Sequence, residues 1–302
     1  MKKTLVLLTI ISCFIGNQNL FAQKVSINSL QEGFQNPPSS AQPLVYHWWL
    51  GGHVDTTRLK AELESFKNAG ISGFTIFEIG SRDTSLVKSG PAFLSEESLK
   101  ILKYAIEEAG RLELVVGLNT ASSWNAGGSW ITPEHAAKSI YYSKTELNEN
   151  SGSGIKLSFP EIPKFDPRGK PRLIEFSDDG KPVFYEEIAV LALPVLKGDN
   201  FLDTAKIINV SAYFNHDTEV LNWKAPPGEW EIVRYVCSNS GENLVRPSEY
   251  SAGPIVDHFD AAATEFHFTY IINRLESVLG NLNNSALKSL YMASYEARGF
   301  AW

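Results

Sequence analysis

Cysteine is nearly missing from this sequence: Cys13 and Cys237 are the two in 302 residues. With Cys13 inside the N-terminal apolar run, the rest of the chain has no pair for an internal disulfide. No Cys/His spacing of the zinc type exists either. Cys237 lies in the alternating run Trp230-Glu231-Ile232-Val233-Arg234-Tyr235-Val236-Cys237. That position reads as a small buried hydrophobe, not a nucleophile. Positive charge is also short. Lys and Arg number 27 against 34 Asp and Glu, a formal net charge of -7. A basic footprint for nucleic acid is therefore absent. No transmembrane segment is read, because the longest apolar stretch, Thr4 to Ile15, is too short to cross a bilayer comfortably. An internal repeat is lacking as well.

What the sequence has in quantity is aromatic surface. Seven Trp, eleven Tyr and seventeen Phe make up 12% of the residues. Aromatic faces fill cores, and they also complement the apolar C–H face of a pyranose. An oligosaccharide or polysaccharide is the ligand class this favours.

The N-terminus reads as an export signal over residues 1–22. Lys2 and Lys3 precede the apolar run, and Leu20-Phe21-Ala22 offers a cleavage point. Ile10-Ile11-Ser12-Cys13 resembles a lipobox, so a lipoprotein anchored through Cys13 is the alternative to ordinary cleavage. The expected location is periplasmic, extracellular or the outer membrane.

Residues 23–42 read as an extended leader. Strand and helix then alternate. Leu44–Leu50, Gly73–Ile79 and Leu112–Leu118 are apolar strands. Between them lie a helix capped by Asp55 and ended by Gly70, and another starting at Ser95 and stopped by Gly110. This order predicts a parallel sheet covered on both sides, in a (β/α)8 barrel or a doubly wound sheet. A short helix is expected at Thr132-Pro133-Glu134. The texture then changes to β-rich, with strands at 140–147, 155–159, 188–196, 207–214 and 230–237 separated by Gly- and Pro-rich turns. A long helix over 261–279 and a fourth barrel-type strand over 287–296 follow. The predicted fold is α/β: an incomplete (β/α)8 barrel of the TIM type, interrupted by a β-rich, sandwich-like insertion. Its parts are the first half of the barrel over 23–139, the insertion over 140–250, and a return to the barrel over 251–302, cut off after the fourth strand.

Sites in parallel α/β proteins form at the C-terminal ends of strands. That rule selects Glu296 as general acid at the end of the fourth strand. It selects Trp49, Glu78, Asn119, Trp124, Asp257 and His258 as substrate contacts. Trp48 and Trp49 point to opposite faces of a strand, so one of them belongs to the core. Glu78 has Arg82 as a candidate partner. No metal ligands are identifiable.

Several segments together resemble glycoside hydrolase family 106. They are Asn36-Pro37-Pro38, Tyr46-His47-Trp48-Trp49-Leu50-Gly51-Gly52, Ala69-Gly70-Ile71-Ser72-Gly73-Phe74, Ala126-Gly127-Gly128-Ser129-Trp130-Ile131-Thr132-Pro133-Glu134, Pro227-Gly228-Glu229-Trp230 and Ser294-Tyr295-Glu296. The resemblance runs from about Asn36 to Trp302. It implies an α-L-rhamnosidase acting on plant polysaccharide such as pectin or rhamnogalacturonan, an inverting mechanism and a bound calcium ion. In such a mechanism one carboxylic acid protonates the leaving oxygen and a second carboxylate activates water. Glu296 matches the position of the acid, and the matching base is expected beyond Trp302. One departure is Ala293, where the family pattern carries an acidic residue. Other readings of the same residues are a different TIM-barrel glycosidase and a non-catalytic carbohydrate-binding protein.

Overall fold

The computed structural model describes residues 26–83, 85–148, 151–196 and 203–294. The signal segment, Cys13, Tyr295 and Glu296 lie outside the described residues. The chain divides into two compact units, residues 1–43 and 44–302.

In the first unit, residues 27–35 are helical (α1, Ile27–Gln35) and not extended as the sequence suggested. The Ser26 hydroxyl accepts from the Ser29 amide and so caps the orphan donors of the first turn. Ile27, Leu30 and Phe34, spaced to share one helix face, stay exposed.

The second unit begins with β1 (Leu44–Leu50), α2 (Thr56–Asn68), β2 (Gly73–Ile79), α3 (Glu96–Arg111) and β3 (Val115–Asn119). Asp55 caps α2 and Ser95 caps α3, each through its side-chain oxygen. After the insertion come α4 (Ala261–Leu279) and β11 (Leu287–Tyr291). The four strands form one parallel sheet in the order β1-β2-β3-β11. Trp49, Phe74, Ile76, Val116, Leu118 and Leu287 pack against Leu59, Leu63, Leu99, Leu102, Ile106, Ile271 and Leu275 of the three helices. All three helices therefore cover one face. The other face carries the alternate residues Leu44, Tyr46, Trp48 and Leu50 of β1, each more than 40% exposed. Among the described residues, this differs from the expectation of a sheet covered on both sides.

Two glycines turn the chain at the rim. Gly51 and Gly52 follow β1 with φ of 65° and 68°, the left-handed region that favours glycine. Gly90 then crosses so close that a Cβ there would lie 2.0 Å from the Gly52 carbonyl oxygen.

The insertion is antiparallel. β4 (Lys138–Leu147), β6 (Tyr185–Pro194), β7 (Ile208–Asn209) and β10 (Trp230–Asn239) form a sheet in the order β4-β10-β6-β7. β5 (Ile155–Lys156), β8 (Phe214–Asn215) and β9 (Val220–Leu221) form a smaller one. Leu147, Leu157, Val190, Phe214, Leu221, Trp230 and Ile232 share a core with both. The strand expected over 207–214 is broken by a 3-10 turn at Ser211–Tyr213. The helix expected at Thr132-Pro133-Glu134 is a turn leading to the bridge at Ala136. Its hydroxyl and carboxylate bond each other, Thr132 Oγ1 to Glu134 at 2.8 Å, in place of serving a helix end.

Within this core Arg234 is 1% exposed. It donates to Glu187 through Nε and a terminal nitrogen, to Glu219 at 3.1 Å and to the Leu157 carbonyl at 3.0 Å. Glu219 also meets Lys181 at 3.1 Å. Phe159 and Phe214 flank the guanidinium.

Candidate active site

The uncovered face of the parallel sheet gathers five aromatic rings near its C-terminal end. Tyr46 and Trp48 come from β1, Phe77 from β2, Trp124 from the loop after β3 and Tyr291 from β11. Phe77, buried, is the floor. It lies 4.7 Å from Trp48, 4.8 Å from Trp124, 5.9 Å from Tyr46 and 6.5 Å from Tyr291, measured between ring centroids. Trp48 and Trp124 meet at 5.6 Å and 63°. The hydroxyls of Tyr46 and Tyr291 hydrogen-bond at 2.7 Å, which raises the Tyr46 pKa above its ordinary value. Strand alternation builds this wall: every second residue of β1 faces it, so Trp48 does and Trp49 does not.

Trp49, expected to touch substrate, is 3% exposed in the helix-side core. Its indole N–H donates to His47 Nδ1 at 2.9 Å. The accessible indole is that of Trp48, 45% exposed.

Glu78 ends β2 on the helix side, behind the aromatic wall, and is 2% exposed. Its carboxylate accepts from Ser248 Oγ at 2.8 Å and Ser251 Oγ at 3.4 Å. Ser248 in turn bonds Ser122 through both its amide and its hydroxyl, each at 2.9 Å. Burial pushes the Glu78 pKa up to about 7, against the opposing pull of the serine hydroxyls. The partner the sequence suggested, Arg82, is replaced by this cage of hydroxyls. Glu78 thus ties β2 to the loop after β3 and to the segment returning from the insertion.

Asn119 shapes the loop that carries Trp124. Its side-chain amide donates to the carbonyls of Ala121 and Ser123 at 2.8 and 2.6 Å. Asp257 is buried and paired with Lys138, whose ammonium lies 2.9 Å from its carboxylate and also donates to the Glu134 carbonyl. This pair fastens the start of β4 to the returning segment. His258 is partly buried, and desolvation lowers its pKa. On α4, His267 is almost fully buried beneath Trp130 and is pushed down to about 4 by the same cause. Burial moves the Cys237 thiol up to about 11, in line with an inert core residue.

Of the residues expected to contact substrate, then, Trp124 joins the wall. Asn119 and Glu78 support the loops around it, and Asp257 is held in an ion pair. Tyr46, Phe77 and Tyr291 were missed in the sequence. The period-2 spacing of Tyr46 and Trp48 was the available sign. Just past β3 and β11, the buried hydroxyls Thr120 Oγ1 and Ser294 Oγ have no hydrogen-bond partner among the described residues. Such atoms call for water or ligand.

Comparison with known proteins agrees with this geometry. The family model described as alpha-L-rhamnosidase, glycoside hydrolase family 106, matches residues 35–203 and 169–302. A curated protein of Formosa agariphila, named provisionally as a beta-glucuronidase, is 25% identical over 97% of this chain and 26% of its own length. A rhamnosidase structure from Novosphingobium sp. PP1Y superposes with a TM-score of 0.65 at 16% identity, over 87% of this chain and 39% of that one. This chain thus spans about a quarter of the curated relative and shares the fold of the solved structure. By the extent of the family match, the chain belongs to glycoside hydrolase family 106, the alpha-L-rhamnosidase family.

Proposed function

We propose that this protein is an exported α-L-rhamnosidase that hydrolyses plant pectin or rhamnogalacturonan with inversion at the anomeric carbon. The observation that carries the reading is the aromatic wall of Trp48, Phe77 and Trp124 at the C-terminal end of a parallel sheet. Its exposed indole edges suit the C–H face of a 6-deoxyhexose, whose methyl group adds apolar surface. We read the sheet as four consecutive strands of a (β/α)8 barrel, in which the wall faces the barrel axis. Glu296, five residues after Tyr291 of the wall in sequence, is assigned as the general acid. A carboxylate across the ring from it would act as base, with room for a water between. Export rests on the charged and apolar pattern of residues 1–22.

Among the described residues, no three His, Cys, Asp or Glu side chains converge. The Asp257 carboxylate is already held by Lys138. No step is assigned to a calcium ion.

The test is incubation of the purified protein with an aryl α-L-rhamnoside, following the first-formed anomer by NMR. Inversion predicts β-L-rhamnose as the initial product. Initial α-L-rhamnose would mean a retaining glycosidase. Saturable oligosaccharide binding without turnover would mean a carbohydrate-binding protein.

A further inference from the structure

Glu78 is a buried carboxyl that the proposed chemistry does not use, and the hydroxyls around it form a directed chain. Ser122 Oγ donates to Ser248 Oγ, which donates to Glu78 Oε1. Ser251 Oγ accepts from the Phe93 amide at 2.9 Å and donates to the same carboxyl oxygen. Each serine hydroxyl has one hydrogen, so both chains run toward one acceptor. The other oxygen, Oε2, faces the turn after β1, where a Cβ on Gly52 would lie 3.4 Å from it. Five segments thus meet at this group: the Gly51-Gly52 turn, the end of β2, residues 90–93, the loop after β3 and the segment 246–251.

The loop after β3 depends on that meeting point. Ser122 holds it to Ser248 by two bonds of 2.9 Å, and Ser123 Oγ donates to the Val245 carbonyl at 2.5 Å. The next residue is Trp124, whose ring lies on Phe77. Phe77 is the neighbour of Glu78 on β2. The carboxyl therefore stands behind the wall at two places, in its floor strand and at the anchor of its loop.

Among the described residues no cation pairs with Glu78, whose partners are neutral hydroxyls. His53 after the β1 turn, Arg82, Asp83 and Lys88 after β2, and Arg246 and Glu249 on the returning segment are all exposed. His47, on the same face of β1 as Trp49, is engaged with Glu62 at 3.0 Å and with the Trp49 indole. Residues 90–93 and 119–125 contain no titratable side chain. Burial favours the neutral acid and raises its pKa to about 7. A buried anion without a counter-ion is relieved by water, and water that reaches Glu78 must part the segments that enclose it.

We propose that Glu78 is a positioning residue that couples ligand binding on the aromatic wall to its own protonation, its neutral form latching the Trp124 loop and its ionised form releasing it. The inference rests on the rhamnoside reading above and adds a proton to the binding event. A ligand that needs the latched loop binds the protein with Glu78 neutral. The complex then holds more protons than the free protein, so affinity falls as pH rises through neutrality.

Calorimetric titration of the purified full chain with L-rhamnose, which has no glycosidic bond to hydrolyse, tests it. The native protein is expected to bind about tenfold more weakly at pH 8.5 than at pH 5.5, the change carried by one unit of pKa displacement on binding. Titrations at pH 7.5 in two buffers of different ionisation enthalpy should show net proton uptake. Glu78→Gln keeps an oxygen for the serines and cannot ionise, so it should bind equally at both pH values and take up no proton. A second readout needs no ligand. The emission of Trp124, taken as the difference between the native protein and Trp124→Phe, should change between pH 5.5 and 8.5. Ser122→Ala cuts the chain between carboxyl and loop and must abolish that change, while the fall in stability with rising pH, which belongs to the burial of Glu78 itself, remains. A purely structural Glu78 would give the stability effect without proton uptake, and that result overturns the inference. So does a pH dependence of binding that persists in Glu78→Gln, which would belong to His47 or His53. Equal affinity of the native protein at pH 5.5 and 8.5 overturns it as well and leaves the rhamnoside reading standing. A native protein that binds no rhamnose at either pH overturns both.

Discussion

The two β regions of this protein hold carboxylates withdrawn from solvent in opposite ways. In the insertion, Glu187 and Glu219 are paired with Arg234, Glu219 also with Lys181, and these cations hold the Glu219 carboxyl below its ordinary pKa. In the parallel region, Glu78 has no cation in its cage, only serine hydroxyls. A paired charge locks its surroundings at any ordinary pH. A lone carboxyl held by hydroxyls keeps its proton longer and makes its surroundings respond to pH. The insertion is thus built for permanence, and the rim behind the aromatic wall is poised near neutrality.

Substitutions at the two centres separate these behaviours. Arg234→Met removes a buried cation from between Glu187 and Glu219, leaves Glu187 without this partner and Glu219 with Lys181 alone, and is expected to cost about 3 kcal/mol. Chemical denaturation checks it, and a loss under about 1 kcal/mol would show that the ion cluster is not what holds the insertion. Glu78 gives the next largest effect. Its pKa is about 7 in the fold against an ordinary 4.5. Between those values the native state binds more protons than the unfolded chain, so stability falls as pH rises through that window. The group accounts for about 3 kcal/mol of that fall. Glu78→Gln keeps an oxygen for Ser248 and should flatten the slope, making the variant the more stable protein at pH 8. Parallel slopes for the two proteins from pH 5 to 8 would remove the contrast. Trp124→Ala sharpens the comparison from the ligand side. It should weaken rhamnoside binding by about tenfold through lost stacking, with calorimetry as the readout. The smallest effect is reserved for Trp48→Ala, which should change the unfolding free energy by less than about 1 kcal/mol because the indole is half exposed.

The sequence made the helix-covered face easy to read. Continuous apolar runs with Asp55 and Ser95 as caps placed β1 to β3 and their helices within a few residues. What it hid was orientation. Trp48 and Trp49 are neighbours of one residue type, and which one enters the core depends on strand register against β2, a tertiary fact. The serine cage of Glu78 was also illegible. Ser122, Ser248 and Ser251 are scattered along the chain and carry no spacing that marks them. Helix α1 was missed because a nine-residue helix with no buried residue leaves little pattern beyond its Ser26 cap. The break in the strand expected over 207–214 is likewise a local turn, with Ser211 bonding back to β6 through its hydroxyl.

One feature of the insertion bears on how such a chain comes to exist. β10 pairs with β4 along its whole length, so that Lys138 lies opposite Asn239 and Ser139 opposite Ser238. The segment therefore leaves the parallel region and re-enters it through two adjacent points. To the parallel sheet, a hundred residues amount to a short connection. A unit joined in this way, with a core of its own, can lengthen, shrink or be exchanged over evolutionary time without moving the strand ends that carry the aromatic wall.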